Sequence, residues 1–469
     1  MTKTMPLRAI LSTSALAAMS FAALPAHAAC VDGGATLTCT GTGNAAITDA
    51  TEDKSFTIEP DAAVGPLSGI AMTLSGDDQS VLNQGLIESL DDEAVRTTGA
   101  RLTFDNAGEI RATDDRGIRL QAGADDATII NRAGATILTK DQAIRADSGD
   151  VLENLRVEND GTITSTDGRA IQSRGPGTTV INTGIIEGGE EVIEARTDFT
   201  LENRGTIKIG DPAIADEDGV QFASGRVDNF GLIQGSDDGI DVDEGTIVNH
   251  AGGEIRVVPA PLQPGGNGID ADEETQDPVN GDRPAGLLTI ENAGLIEGPK
   301  AIAVDDDRTA AVNVINSGTL RGISGVAMDL APAMDASALE IFDGSMIFGD
   351  VLLTDSDDTV TIGALTSGQM VDTFFEGHGG DDTVFLDSYD LTDIVAFGVN
   401  GTEASLTLAT LAGDVTGEFF NFETWNVGGT RYTTSGLAAA VAPIPLPAGL
   451  PLLGAGLAGL WALRRHRAA

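Results

Sequence analysis

Aromatic residues and positive charges are scarce in this chain of 469 residues. Phe, Trp and Tyr make up 4% of it, and Lys and Arg number 27 against 72 Asp and Glu, for a formal net charge of −45. So acidic a surface repels nucleic acid and anionic lipid, which excludes both as partners. The same charge favours bound divalent cations or a salty medium that screens self-repulsion.

The chain also lacks the residue patterns of the common catalytic sites. It has two cysteines and four histidines, which are too few and too scattered for a Cys/His metal cluster. No glycine-rich nucleotide loop and no serine-nucleophile elbow occurs in the sequence. Hydrophobic residues nevertheless reach 41%, so aliphatic side chains must fill an ordered interior.

The N-terminus has the features of a secretory signal peptide over residues 1–28. Lys3 and Arg8 precede an apolar run, and Ala26 and Ala28 occupy the small-residue positions of a signal-peptidase site. A lipoprotein with an acylated Cys30 is the alternative, but His27 replaces the Leu expected before such a cysteine. In an exported chain the two cysteines are expected to pair, which predicts a Cys30–Cys39 disulfide.

The middle of the chain is a repeat. The pattern Asn-x-Gly-x-Ile or a close variant recurs with asparagines 20 to 28 residues apart and one gap of 43, at Asn83, Asn106, Asn131, Asn159, Asn182, Asn203, Asn229, Asn249, Asn292 and Asn316. Each period contains three short pieces in which aliphatic and polar residues alternate, which is typical of half-buried strands. We expect Asn and Gly at the corner to supply left-handed or positive-φ backbone, and the stacked asparagines to form an amide ladder.

A period in the low twenties with three strands predicts an all-β fold, a right-handed parallel β-helix. A β-propeller, the alternative, would need periods near forty and aromatic blade motifs. The predicted organisation is a signal peptide at 1–28, an N-terminal cap and first coils at 29–82, the repeats at 83–330 with an inserted loop at 258–286, acidic C-terminal coils at 331–427, a linker at 428–443 and a C-terminal segment at 444–469.

The C-terminal segment combines a proline motif, an apolar run and a basic end. The motif comprises Ile444, Pro445, Leu446, Pro447, Ala448 and Gly449, and the basic end includes Arg464, Arg465 and Arg467. The apolar run between them is just long enough to span a bilayer as one transmembrane helix, with the arginines in the cytoplasm. The segment resembles the VPLPA variant of the PEP-CTERM sorting signals, with Ile where that family usually has Val. The resemblance implies processing by an exosortase-type enzyme and release to the cell surface or medium after transient membrane anchoring. A plain C-terminal anchor is the alternative.

Two acidic turns follow the repeats. Asp357 and Asp358 recur as Asp381 and Asp382 in the same Asp-Asp-Thr-Val context. The second turn resembles one nonapeptide of the RTX calcium-binding family, with His378 in place of a glycine. That family needs tandem nonapeptides, and this chain has one. The two acidic turns therefore have two interpretations. They are the corners of consecutive coils, or their four aspartates form a Ca²⁺ site.

The rod as a whole loosely resembles autotransporter passenger domains over residues 83–427, although the room for a C-terminal barrel is lacking. We also compared it with polygalacturonases, to which Asn182-Thr183, Asp237-Asp238 and Gly377-His378-Gly379 are superficially similar. Their order and spacing differ from those of polygalacturonases, since about six coils separate the aspartate pair from His378. The sequence thus predicts a non-catalytic adhesin or matrix component that binds polysaccharide or other copies of itself. A β-helical hydrolase or lyase and an RTX-like calcium-binding protein are the alternatives.

Overall fold

The computed structural model describes residues 29–442 except 67, 148–151, 212–216, 259–265, 272–285, 305–307, 367–368, 372 and 412. The expected signal peptide, with Ala26 and Ala28, and the expected sorting signal at 444–469 lie outside the described residues. Within the described residues, no helix is long and apolar enough to cross a membrane.

The described chain winds into a parallel β-helix with three long sheets, which confirms the predicted all-β solenoid. Sheet A contains the strands that lead to the asparagine corners. In stacking order they are Thr36–Thr40, Ser55–Ile58, Ser80–Asn83, Thr103–Asn106, Thr128–Asn131, Arg156–Asn159, Thr179–Asn182, Phe199–Asn203, the second halves of Val220–Asn229 and Ile240–Asn249, Leu288–Asn292, Val312–Asn316, Ala338–Ile341, Thr359–Ile362, Thr383–Leu386 and Thr424–Val427.

Sheet B follows each corner. Its strands are Ala63–Val64, Leu86–Ser89, Glu109–Ala112, Thr136–Thr139, Thr162–Ser165, Ile185–Gly188, Thr206–Ile209, Leu232–Gly235, Glu254–Val257, Leu295–Gly298, the first halves of Thr319–Asp329 and Met346–Leu352, and Gln369–Val371.

Sheet C completes each coil. Its strands are Ile47–Asp49, Met72–Leu74, Val95–Thr97, Ile118–Leu120, Ile144–Ala146, Ile171–Ser173, Ile193–Ala195, the first halves of Val220–Asn229 and Ile240–Asn249, Ile269–Asp270, Ile302–Ala303, the second halves of Thr319–Asp329 and Met346–Leu352, Phe374–Glu376 and Gly413–Phe420.

Inward side chains form continuous stacks because the registers of successive coils align identical positions. In sheet C, Ile118 lies on Ile144, which lies on Ile171, and all three are fully buried. The stack continues through Ile193 and Val220 to Ile240, as the repeat predicts. Each coil thereby buries its aliphatic side chains against its neighbours in one hydrophobic core.

Outward positions stack in rows as well, and the two larger sheets differ in charge. Sheet B has one row of Leu86, Glu109, Thr136, Thr162, Ile185, Thr206, Leu232, Glu254, Leu295, Thr319 and Met346, and a second row of Glu88, Arg111, Leu138, Thr164, Glu187, Lys208, Gln234, Arg256, Glu297, Arg321 and Phe348. Outward charged residues of sheet A over residues 103–341 are Asp105, Arg156, Glu158, Glu202, Arg226, Asp228, Glu291 and Glu340.

The asparagine corners form the predicted amide ladder. Nδ2 of Asn83 donates to Oδ1 of Asn106 at 2.7 Å, and the same bond repeats from asparagine to asparagine up to Asn316. The ladder is continuous across the gap of 43 residues, where Asn249 donates to Asn292 at 2.8 Å. The insertion therefore leaves the coil geometry intact. Within the insertion, Ile269–Asp270 keeps the third strand of the coil.

The expected positive-φ backbone is found at Gly134 and Gly252, in the two longer corners, but not at the regular corners. Neither the ladder asparagines nor the glycines that follow them at Gly85 and Gly108 adopt positive φ. Glycine is needed there because a Cβ on Gly108 would lie 2.2 Å from the carbonyl oxygen of Gly85 in the preceding coil. Close stacking of coils, rather than a left-handed turn, thus selects glycine at this position.

The N-terminal end is capped by one antiparallel strand. Ala29–Asp32 pairs with Thr36–Thr40, and Cys30 and Cys39 face each other and form the expected disulfide. The pairing covers the outer edge of the first sheet A strand, which would otherwise expose unpaired backbone groups.

The C-terminal end departs from the predicted coils and linker. Within the expected coils at 331–427, strands Ile394–Asn400, Glu403–Thr410 and Gly413–Phe420 form an antiparallel meander, since hairpin turns at Gly401 and near Leu411 reverse the chain. The segment expected as a linker at 428–443 contains strand Thr430–Thr433 and helix Thr434–Val441. Leu437 of that helix is fully buried in the core, so this segment closes the end of the rod.

Candidate functional site: an acidic corner before sheet C

Polar side chains stack at the turn that leads into sheet C. These residues lie two positions before the first inward isoleucine or valine of each strand, and at seven of the nine positions, all but Glu93 and Glu191, the backbone carbonyl accepts a hydrogen bond from the preceding coil. We call this stack the corner column; it comprises Glu93, Arg116, Gln142, Arg169, Glu191, Asp218, Asp238, Asn267 and Lys300. Sheet C brings these residues together although more than 200 positions separate the ends of the column.

The first half of the column is balanced by arginines. Glu93 is 1% exposed and forms ion pairs with Arg96 and with Arg119, the latter at 2.7 Å. Burial acts to raise the pKa of Glu93, but hydrogen bonds with Asp92, Arg119 and Arg96 outweigh it and lower the pKa to about 2. This carboxylate therefore stays ionised in the folded protein.

Arg169 is the last arginine of the column and neutralises three carboxylates. It forms ion pairs with Glu190 and Glu191, both at 2.7 Å, and with Glu194 at 2.6 Å. Burial opposes its charge, yet these carboxylates raise its pKa above the usual value. Arg169 thus marks the boundary between the balanced half and the acidic half.

After Glu191, which pairs with Arg169, the acidic half continues with Asp218 and Asp238, which are adjacent in the column. Together with Asp237 they bring carboxylate oxygens within 4.8 Å of one another. Burial, and then the negative charges of Asp270 and Asp218, raise the pKa of Asp238 to about 10. Burial and the charge of Asp241 raise the pKa of Asp218 well above its usual value.

The same aspartates hold the backbone of the next coil. Oδ1 of Asp218 accepts a hydrogen bond from the Asp238 N–H at 3.0 Å, and Oδ1 of Asp238 accepts one from the Asn267 N–H. Each carboxyl group therefore has a structural role at a coil corner. Raised pKa values beside a like charge are also what an acid–base site would show, so the acidic half is the candidate functional site.

The four aspartates expected to bind calcium are arranged differently. Among the described residues, the groups of three or more acidic side chains with oxygens within 4.8 Å are Asp92–Glu93–Asp115 and Asp218–Asp237–Asp238. Neither group includes Asp357, Asp358, Asp381 or Asp382, so the structure does not bring these four together as a cation site.

These aspartates form a carboxyl ladder at the start of the sheet A strands instead. The Ser337 N–H donates to Asp358 Oδ1 at 2.6 Å, the Asp358 N–H to Asp382 Oδ1 at 2.8 Å, and the Asp382 N–H to Glu423 Oε2 at 3.0 Å. Asp358 and Asp382 are fully buried. Their oxygens point at backbone N–H groups, which explains the repeated Asp-Asp-Thr-Val sequence without a metal.

The sequence matches the protein family described as the BigA third pectate lyase-like domain over residues 28–325. The chain belongs to this family. No curated protein and no solved structure matches it. The pectate lyase-like match covers the coils with the asparagine ladder and the whole corner column, and it agrees with a right-handed parallel β-helix.

In this β-helix, the elements that resemble a polygalacturonase site lie apart. Asn182 is part of the amide ladder on sheet A, far from the corner column. Five successive strand pairings in sheet C separate the strand that follows Asp238 from the strand that precedes His378. The sequence predicted a separation of about six coils. At about 4.8 Å per step the separation is about 24 Å. The structure thus does not bring Asp238 and His378 together.

Proposed function

We propose that this pectate lyase-like β-helix is an exported, surface-sorted protein that acts by binding, as an adhesin or a component of an extracellular matrix or biofilm. The observation that carries the proposal is the use of Asp218 and Asp238 as acceptors for the backbone of the next coil. An acid–base residue must reach substrate, whereas these two are 8% and 7% exposed and engaged in the rod. The long outward rows of sheets A and B offer the surface for binding.

Export and sorting rest on the sequence at the two ends. The signal-peptide pattern ending at Ala28 and the resemblance of Ile444–Gly449 to a VPLPA-type sorting motif support them. The proposed processing enzyme is of the exosortase type, and the membrane is engaged through the C-terminal segment before processing. Mass spectrometry of the natural product should find an N-terminus near Ala29 and no peptide from residues 461–469. An intact C-terminal peptide in released protein would contradict sorting.

A β-helical polysaccharide hydrolase or lyase is the second candidate. It is favoured by the pectate lyase-like family and by the raised pKa of Asp238, whose neighbour Asp237 belongs to the same carboxylate cluster. A protonated carboxyl group beside a second carboxyl group is the arrangement that glycoside hydrolases use.

One experiment separates the two candidates. The purified chain is incubated with a panel of acidic and neutral polysaccharides, and released oligosaccharides and polysaccharide binding are measured in parallel. We expect binding or no interaction, without release. Oligosaccharide release that Asp238→Asn abolishes and Asp381→Asn retains would establish the enzyme, because Asp381 is exposed and far from the corner column.

A further inference from the structure

The outward face of sheet B differs from that of sheet A, the other large sheet, in being almost neutral. Its two outward rows contain five acidic and four basic residues, whereas those of sheet A over residues 103–341 contain six acidic and two basic residues. For a chain with a net charge of −45, a second copy would meet less repulsion at this face than at sheet A.

Apolar side chains are exposed on the same face. Leu138 is 39% exposed, Met346 is 40% exposed and Ile185 is 41% exposed, and all three point outward from sheet B. Among the described residues, the strands of sheet A carry no large hydrophobic side chain exposed to this degree. Exposed apolar groups between polar rows are typical of protein–protein interfaces.

The order of charges in the second row of sheet B is self-complementary. Consider a twofold axis parallel to the strands that passes between Ile185–Gly188 and Thr206–Ile209. It places Glu187 opposite Lys208 of the second copy, Arg111 opposite Glu297, and Glu88 opposite Arg321. No position in either row then faces a residue of like charge. A twofold interface requires this kind of self-complementarity.

We infer that two copies of this chain pack antiparallel, sheet B against sheet B, about this axis. Within one copy the row already contains ion pairs, such as Lys208–Glu187 at 2.9 Å and Arg321–Glu297 at 2.8 Å. Facing copies convert each of these pairs into a four-membered cluster of alternating charge. The Leu138 side chain lies opposite the aliphatic stem of Arg256.

The face is large enough for a specific dimer. Ten facing strands at about 4.8 Å give a length of roughly 48 Å, and four residues of strand give a width of roughly 13 Å. The product is on the order of 620 Å² on each copy, close to the roughly 800 Å² per partner of a standard interface. The inference rests on the proposed function in one respect: it names a second copy of the chain as one partner of the binding rod.

Charge-swap variants of the full chain test the inference by sedimentation velocity at about 0.15 M salt, where repulsion beyond roughly 8 Å is screened. Glu187→Lys places lysine opposite Lys208 at two symmetry-related positions, and we expect at least a tenfold weaker dimer. Lys208→Glu should have the same effect. The double variant Glu187→Lys/Lys208→Glu restores opposite charges across the axis and should restore the dimer.

Glu202→Lys is the matched control, because it makes the same charge change beside a basic partner, Arg204 at 2.7 Å, on sheet A. It should leave the dimer unchanged, and circular dichroism should show all four variants folded. A monomeric wild type, an unaffected Glu187→Lys variant, or a double variant that stays monomeric would each overturn the inference. Polysaccharide cleavage by the same samples would contradict the proposed binding function and leave the dimer test valid.

Discussion

Two ladders of polar side chains border sheet A, and they satisfy coil corners with different chemistry. The amide ladder from Asn83 to Asn316 is built from groups that both donate and accept. The carboxyl ladder of Asp358, Asp382 and Glu423 is built from groups that, when ionised, only accept. The amide ladder can therefore repeat without charge, whereas the buried Asp358 and Asp382 each add a buried charge or a bound proton.

The consequence is visible at Asp382. Its Oδ1 accepts the Asp358 N–H, but its buried Oδ2 has no hydrogen-bond partner among the described residues. Burial, and then the charges of Asp358 and Glu423, raise the pKa of Asp382 to about 8. In the amide ladder the equivalent second atom, Nδ2, donates both to the next asparagine and to a backbone carbonyl, as Asn159 does to Asn182 and to Ile185.

We expect the largest effect from a carboxylate placed in the amide ladder. Asn159→Asp keeps the shape but removes the donors to Asn182 and Ile185 and buries a charge that lacks a cation. The cost should be about 3–5 kcal/mol at neutral pH. It should appear as a large loss of thermal stability by circular dichroism, partly recovered at acidic pH where the new aspartate is protonated.

Asn313→Asp is the control for this prediction, because Asn313 lies on sheet A but faces outward. Its thermal midpoint should stay close to that of the wild type. Equal losses in the two variants would show that the amide ladder has no special need for a donor.

The next largest effect is expected where an arginine supplies the donors that carboxylates lack. Arg169→Met leaves Glu190, Glu191 and Glu194 without their shared cation and extends the acidic half of the corner column by one coil. We expect a loss of about 2–3 kcal/mol at neutral pH, less than for a fully buried pair because Arg169 is 22% exposed. Urea titration monitored by circular dichroism measures it.

The matched control is Arg204→Met. Arg204 is 51% exposed and pairs with Glu202, so its removal should cost less than about 1 kcal/mol. If Arg169→Met cost no more than Arg204→Met, the arginines of the column would not be balancing its buried carboxylates.

Sequence reasoning predicted the fold well because the repeat is a local pattern. The spacing of Asn83, Asn106 and the later asparagines fixes the coil length, and alternation of aliphatic residues fixes which side chains face inward. It failed at 394–441, where no repeat exists and the meander and the helix depend on packing against the end of the rod.

The functional residues were harder to predict because charge pairing depends on neighbouring coils. The Asp-Asp sequences at 237–238 and 357–358 look alike, yet only the first lies in a carboxylate cluster. The direction of each aspartate side chain decides whether it joins a cluster, and this direction cannot be recognised in a single sequence. A signal was available in the corner column, where Arg116 and Arg169 occur in the early coils and the next three coils have Glu191, Asp218 and Asp238 at the same position.

A moderate effect is expected when an amide replaces a carboxyl group in the carboxyl ladder, as in Asp382→Asn. The folded pKa of Asp382 is about 8 and its ordinary value is 3.8, so the folded state keeps a proton that the unfolded state releases between these values. Stability from this group is therefore complete below pH 3.8 and is lost as pH rises towards 8. Asp382→Asn should make the thermal midpoint nearly independent of pH between pH 5 and pH 8. At pH 8 it should raise the midpoint by roughly 2–4 °C for each kcal/mol gained.

Asp381→Asn, at the exposed neighbouring residue, is the control and should keep the pH dependence of the wild-type midpoint. A midpoint that still falls steeply with pH in Asp382→Asn would contradict the prediction.

The smallest effect concerns calcium at the carboxyl ladder. Ca²⁺ needs six to eight oxygen ligands, but Asp357 Oδ1 accepts the Asp381 N–H at 2.8 Å and both Asp358 and Asp382 are buried against backbone donors. A ligand that binds only the folded state raises its melting temperature, so a site here would make the thermal midpoint depend on calcium.

We expect millimolar calcium to change the thermal midpoint by the same amount in the wild type and in Asp357→Asn/Asp381→Asn. Asp237→Asn is the matching variant in the acidic corner, and a rise lost only there would assign the ion to Asp218, Asp237 and Asp238. A rise lost in Asp357→Asn/Asp381→Asn would instead restore the calcium site predicted from the sequence and show that the carboxyl ladder rearranges to bind it.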